Sequence, residues 1–184
     1  SIAVATDVVV VSGSLAVEAH RRRLIPVGRA LLVGAGSSNG VPAKAVADRV
    51  AAVDPLAMRV RLGLSPADFV VGYVGRITSD KGIDTLLSAV ANLPNAARVR
   101  LLLVGSIDDS ALVPEVAALG DRCVHVDWTD DAWSFYSVMD ALSLPTRREG
   151  FPNVVLEAAA AGVPAVTTRA TGAVDSVVDG VTGL

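Results

Sequence analysis

Short β-branched runs alternate with helical stretches along this chain, and that alternation restricts the fold more than any other feature. Strand-like runs are predicted at 7–11, 30–33, 70–75, 99–104, 124–126, 141–144 and 164–167. Helical patterns fall between them at 15–22, 43–52, 55–62, 83–93, 111–119, 130–138 and 154–161, with a last one near 174–178. Short strands each followed by one helix predict right-handed βαβ units around a mainly parallel sheet. The run Leu101-Leu102-Leu103-Val104 is apolar at every position, as a strand covered by helices on both faces must be. The expected fold class is therefore α/β, a Rossmann-like doubly wound parallel sheet.

Composition supports that layering. Of the 184 residues 52% are hydrophobic but only 4% aromatic, and the excess of alanine and valine suits helices packed closely on a sheet. The length allows one substantial domain with its own core. A net charge of −3 supplies no global basic field for nucleic acid or an anionic membrane. Cys123 is the single cysteine, which excludes an internal disulfide and a thiolate zinc cluster, and fits a cytoplasmic home. No apolar run reaches the roughly 18 residues that a spanning helix needs.

The ends predict a piece of a longer chain. Residues 1–7 run into a strand without an initiator methionine, and the Asp179-Gly180 turn signal calls for another strand where the chain stops. The stretch 1–53 is less regular, with a Ser/Asn/Gly-rich segment at 34–40. It reads as a connecting segment whose edge strands belong to the same layer or to an absent half, leaving 54–184 as the ligand-binding unit.

In an open doubly wound sheet, ligands bind outside the carboxyl ends of the strands, so the loops after predicted strands matter most. The first runs from Gly72 to Gly82. Its strand ends at Gly75, and Arg76 and Lys81 lie before the next helix, where two cations could neutralise a diphosphate. A solvated surface loop is the alternative. The second runs from Pro145 to Glu157. Pro152 suits a helix start, which leaves the amides of Asn153 and Val154 free for phosphate oxygens. Glu157, one turn in, could accept hydrogen bonds from a vicinal diol such as a ribose. Glu149 could reach hydroxyls further along a ligand. Dipole complementation by Glu157 and solvation of Glu149 are the competing explanations. Arg147 and Arg148 read most simply as solvated charge, although either could touch a phosphate. A third loop carries Trp128, which could meet a nucleobase or simply pack beside a helix start. Gly172 and Asp175 lie in a fourth loop and carry little weight.

Taken together, these segments resemble the retaining glycosyltransferases of GT-B fold in the large family numbered four, also described as glycosyl transferases group 1. The resemblance is carried by Val74-Gly75-Arg76 with Asp80-Lys81-Gly82, and by the E-x7-E pattern from Glu149 to Glu157. It is carried further by residues 158–164, by Asp179-Gly180-Val181-Thr182-Gly183 and by Ser37-Ser38-Asn39-Gly40-Val41. It spans residue 5 to the end and implies that 54–184 is the nucleotide-sugar donor domain, one half of a GT-B fold.

It further implies that Arg76 and Lys81 hold the donor diphosphate and stabilise charge on the leaving group. Glu149 would contact the sugar together with the main chain of Gly150 and Phe151. The amides of Asn153 and Val154 would meet the phosphate, Glu157 would hold the ribose, and Gly75 and Trp128 would belong to the donor site. Transfer would be retaining and metal-independent, with no cofactor beyond the donor itself. A glycan, lipid or small-molecule acceptor would sit on a preceding domain, and any peripheral membrane contact would belong to the longer enzyme. Pro42 stands where the family often has an acidic residue.

Rival readings remain. A nicotinamide-type fingerprint is echoed at Gly34 to Gly40, but its spacing is G-x-G-x-x-x-G and Val41-Pro42 interrupts the helix entry. A metal-dependent transferase of the other main fold would want Asp-x-Asp, which does not occur. Within the same fold stand sugar-nucleotide epimerases and pyridoxal-dependent phosphorylases. A catalytically silent domain would be expected to lose Arg76, Lys81 or Glu157, and all three are present. His20 and His125 have no visible acid–base partner.

Overall fold

The computed structural model describes residues 5, 7–37, 39–94 and 98–184. Ser38, one of the residues that carry the resemblance, lies outside the described residues, as do residues 1–4 and 6 of the opening stretch. The strands are β1 (Val8–Val10), β2 (Ala30–Leu32), β3 (Phe69–Val74), β4 (Val99–Val104), β5 (Cys123–Val126), β6 (Ala141–Leu144) and β7 (Ala165–Thr167). The α-helices are α1 (Gly13–Arg21), α2 (Ala43–Ala51), α3 (Pro55–Arg61), α4 (Ile83–Ala91), α5 (Val113–Ala118) and α6 (Asn153–Ala160).

Five strands form one parallel sheet in the order β5-β4-β3-β6-β7. The chain starts in the middle at β3, winds outward to β5, then crosses back to β6 and β7. That reversal makes the gap between β3 and β6 the topological switch point, where ligands of doubly wound sheets bind. The register opens it. β3 pairs with β4 through Val74↔Val104, but with β6 only at Val71↔Ala141 and Gly72↔Leu142. Beyond Gly72 the two strands part, leaving a crevice at their carboxyl ends.

The core follows from the apolar strands. Leu101, Leu102 and Leu103 are fully buried in β4, with Val70 and Tyr73 beside them in β3. From the helix layers Ile83, Leu87, Val155 and Ala158 close over the sheet. Helix starts obey local chemistry: Asp54 caps α3 by accepting from the amides of Leu56 and Ala57, with Pro55 at the first helical position.

Two expected helices differ from the pattern. The stretch expected as a helix at 130–138 is a 3-10 helix, Ala132–Val138, and the one near 174–178 is the short 3-10 helix Val174–Ser176. Serines explain both. The hydroxyls of Ser134, Ser137 and Ser176 donate to the carbonyls of Asp131, Ser134 and Ala173, each three residues back. Such bonds compete with the i−4 ladder and tighten the coil.

β1 and β2 pair in parallel with each other and do not extend the five-stranded layer. α1 follows β1 and is tied to the far end of the chain, where Ser14 donates to Asp175 through both its amide and its hydroxyl. α2, within the stretch read as connecting, packs against α6 and the 3-10 helix Ala132–Val138, and its Val46 is fully buried. Arg49 of the same helix pairs with Asp131. No helix among the described residues is long and apolar enough to cross a membrane.

Candidate functional site

Two loops meet over the crevice between β3 and β6, and their backbones are joined. The Arg147 amide donates to the Asp80 carbonyl at 3.1 Å. Gly82 has a positive φ of 71°, and a Cβ there would lie 2.0 Å from the Pro145 carbonyl oxygen, so only glycine permits the approach. Lys81 is carried on the 3-10 helix Ser79–Lys81, and its Nζ lies 2.6 Å from Glu149 Oε1.

Below this junction runs a groove of about 270 Å³ lined by Gly75, Arg76, Lys81, Glu149, Phe151, Asn153 and Val154 among others. The sequence-predicted cations, the first glutamate and the helix start therefore face one space. α6 begins at the groove with Pro152 as its cap residue and no side-chain cap. Its earliest amides, Asn153 and Val154, precede the helical ladder and have no intrahelical acceptor. A helix N-terminus with no side-chain cap is a natural anion site, and two cations beside it fit a diphosphate better than a single carboxylate. Arg76 is held only loosely: its guanidinium is 3.7 Å from Asp108 and is largely exposed.

The groove continues at both ends. Val74, Gly75 and Arg76 also line a second recess of about 270 Å³, with Ser106, Trp128, Thr129 and Ala132 on its other sides. Trp128 is exposed at the edge of this recess. At the other end, Lys81 and Glu149 also line a cleft of about 390 Å³, to which α1 contributes Leu15, Glu18 and Ala19, with Arg22 just past its end. Gly150 and Arg148 lie in that cleft, whereas Arg147 turns away to Asp84, 2.5 Å distant.

Glu157 is placed differently from the other candidates. It does not line the groove. Its Oε2 accepts a hydrogen bond of 3.1 Å from the Tyr136 hydroxyl, which also lies 3.2 Å from the Val154 carbonyl. Burial first, and then the charge of Glu157, push the Tyr136 phenol above its ordinary pKa.

Several supporting residues escape sequence reasoning. Tyr73 is buried, and its hydroxyl donates to the Arg76 carbonyl at 2.7 Å. Burial, helped by the charges of Glu149 and Asp80, raises its pKa, so the phenol keeps the proton it donates. The fourth loop, given little weight above, fixes Glu149. The Glu149 amide donates to the Thr171 carbonyl at 2.9 Å, and the Gly172 amide donates to Ser14 Oγ at 2.7 Å. Asn39 accepts from the Asn153 side chain at 2.7 Å, which connects the segment before α2 to the start of α6. Among the described residues, the ring nitrogens of His125 and His20 hydrogen-bond to the backbone carbonyls of Gly105 and Ile25.

An open parallel sheet whose switch point carries a cationic loop opposite a helix N-terminus defines an α/β domain of the Rossmann-like type. The profile of the family described as glycosyl transferases group 1 matches residues 68–184, and the chain belongs to that family. It is 36% identical to the capsular polysaccharide biosynthesis glycosyltransferase CapM of Staphylococcus aureus, over 97% of this chain and 47% of that protein. A D-inositol 3-phosphate glycosyltransferase of Segniliparus rotundus is 37% identical over 71% of this chain and 31% of its own length.

Among solved structures, sucrose-phosphate synthase from Thermosynechococcus elongatus superposes with a TM-score of 0.75 at 31% identity, over 98% of this chain and 45% of that one. HepE of Anabaena in complex with UDP superposes with a TM-score of 0.78 at 24% identity, over 97% of this chain and 49% of that one, and shows the same fold. The chain spans less than half the length of these relatives.

Proposed function

We propose that this chain holds the donor of a retaining, metal-independent glycosyltransferase, binding a nucleoside diphosphate sugar for transfer to an acceptor on a second domain. One observation carries the reading: Arg76, Lys81 and the unpaired amides of Asn153 and Val154 line a single groove at the switch point. The diphosphate lies in that groove. The base enters the recess beside Trp128, and the sugar points toward Lys81, Glu149 and the Gly150-Phe151 main chain. Glu157 serves the ribose. Solved relatives of the same fold were captured with UDP and with UDP-glucose, which supports a nucleotide sugar as ligand.

As the glycosidic bond breaks, negative charge grows on the leaving phosphate. Fixed donors aimed at that oxygen stabilise it without reorganisation. The leaving phosphate then takes the acceptor's proton, so the sugar is delivered on the face it left. The two cations do the neutralising work that a metal ion performs elsewhere, and no further cofactor enters. The acceptor is a glycan, a lipid or a small molecule, and the enzyme works in the cytoplasm, with any membrane contact peripheral and made through the longer protein.

The test is a thermal-shift screen of UDP-, GDP-, ADP- and TDP-sugars, since a ligand that binds only the folded state raises the melting point. At least one is expected to stabilise wild type and to lose that effect in Lys81→Met. Stabilisation by none of the four would sink the proposal, as would a shift unaltered by that substitution.

A further inference from the structure

We propose that Tyr136 is the positioning residue that sets Glu157 to read the ribose hydroxyls of the donor nucleotide. This rests on the donor reading above. Tyr136 is 1% exposed, and its hydroxyl is shared between Glu157 Oε2 and the carbonyl of Val154. A carboxylate can only accept, so the phenol must donate to it. Burial and the neighbouring charge, which raise the phenol's pKa, keep that donor protonated.

The position of the pair explains what it is for. The 3-10 helix Ala132–Val138 contributes its first residue, Ala132, to the recess beside Trp128. α6 contributes Val154 to the diphosphate groove. A ribose joins base to diphosphate, so its hydroxyls must pass where these two elements meet. The Tyr136 hydroxyl links them, to the Val154 carbonyl and to the Glu157 carboxylate. A glutamate left free one turn into a helix would spread over several rotamers. One oxygen pinned by a buried phenol fixes the carboxylate, and among the described residues the other oxygen has no protein donor. A diol is the neutral donor pair that such an oxygen can read.

Calorimetry tests this with UDP, ADP and GDP, each beside its 2′-deoxy counterpart, and with inorganic pyrophosphate, on wild type, Y136F, E157Q and the double variant. The ribonucleotide that wild type prefers is expected to bind about 3- to 10-fold more weakly to Y136F, as loss of one hydrogen bond suggests. The 2′-deoxy form and pyrophosphate should scarcely change. Y136F should add nothing in the E157Q background, because residues acting through one contact are not additive.

Equal loss for ribonucleotide, deoxynucleotide and pyrophosphate would make Tyr136 a structural strut and overturn the proposal. Independent, additive losses in the double variant would do the same. The E157Q arm does not depend on whether Y136F folds, and an unchanged ribo-to-deoxyribo ratio there is also fatal. Failure of wild type to bind any of the three nucleotides would instead remove the donor reading, and this inference with it.

Discussion

Lys81 Nζ lies 2.6 Å from Glu149 Oε1 with both side chains mostly withdrawn from solvent, at 20% and 14% exposure, so the groove's inner cation is held by a carboxylate before any phosphate arrives. The pair aligns Lys81 and competes for it at once. An incoming diphosphate must share the ammonium with Glu149 or displace it, whereas a sugar hydroxyl could donate to Glu149 and relieve the competition.

Glu149→Gln is therefore expected to strengthen pyrophosphate binding, by about 0.5–1.5 kcal/mol, because the neutral amide releases Lys81. The same change should lower stability, since a half-buried ammonium loses its counter-charge. Calorimetry and a melting curve on one variant read both effects. Weaker pyrophosphate binding would show that Glu149 orients Lys81 more than it competes for it.

Arg76 should behave in the opposite way. Its pair with Asp108 spans 3.7 Å and the guanidinium is largely exposed, so Arg76→Ala should change stability by less than about 1 kcal/mol. Pyrophosphate affinity should fall by about 1.5–3 kcal/mol, the cost of losing hydrogen bonds to a charged group. Unchanged affinity would mean that Arg76 points past the ligand.

Acid pH should loosen α1 through Glu18. Hydrogen bonds from Arg21 and Arg22 hold its carboxyl down at about 2, below the ordinary 4.5. A depressed folded-state pKa adds stability that is complete above about 4.5 and fades as pH falls toward about 2. Wild type should be more stable than Glu18→Gln at pH 6, and the gap should close on acidification. A gap that stays constant down to pH 2 would count against the ion pairs.

Much of this was legible in the sequence for definite reasons. The runs at 99–104 and 141–144 coincide with β4 and β6 because apolar residues bounded by turns leave few alternatives. Arg76, Lys81, Glu149, Asn153 and Val154 share a groove because loops at the ends of adjacent parallel strands must converge. What stayed hidden depends on contacts between distant segments. Nothing near Tyr136 in sequence marks it as the partner of Glu157, 21 residues on. The 3-10 character of Ala132–Val138 arises from serine hydroxyls that propensity reasoning averages away. The fourth loop looked idle because its partners, Ser14 and Glu149, are remote in the chain or belong to another loop.

That fourth loop yields the sharpest structural test. Gly172 has a φ of 79°, and a Cβ there would meet the carbonyl oxygens of Gly150 at 2.3 Å and Glu149 at 2.4 Å. Both obstacles are backbone, so nothing flexible can yield, and the left-handed conformation adds its own cost. Gly180 supplies the control, for its φ is 72° but no atom lies within 4 Å of a Cβ added there. Gly180→Ala should lose about 1–2 kcal/mol, the conformational cost alone. Gly172→Ala should lose clearly more, with about 2–4 kcal/mol expected once steric strain is included. It should also shift pyrophosphate binding in the same direction as Glu149→Gln, because the clash pushes on the backbone of Glu149, the partner of Lys81. Urea denaturation of both variants separates the two costs, and pyrophosphate calorimetry reads the effect on the groove. Equal destabilisation by the two alanines would show that the loop yields freely, and Gly172 would then have no part in holding Glu149 in place.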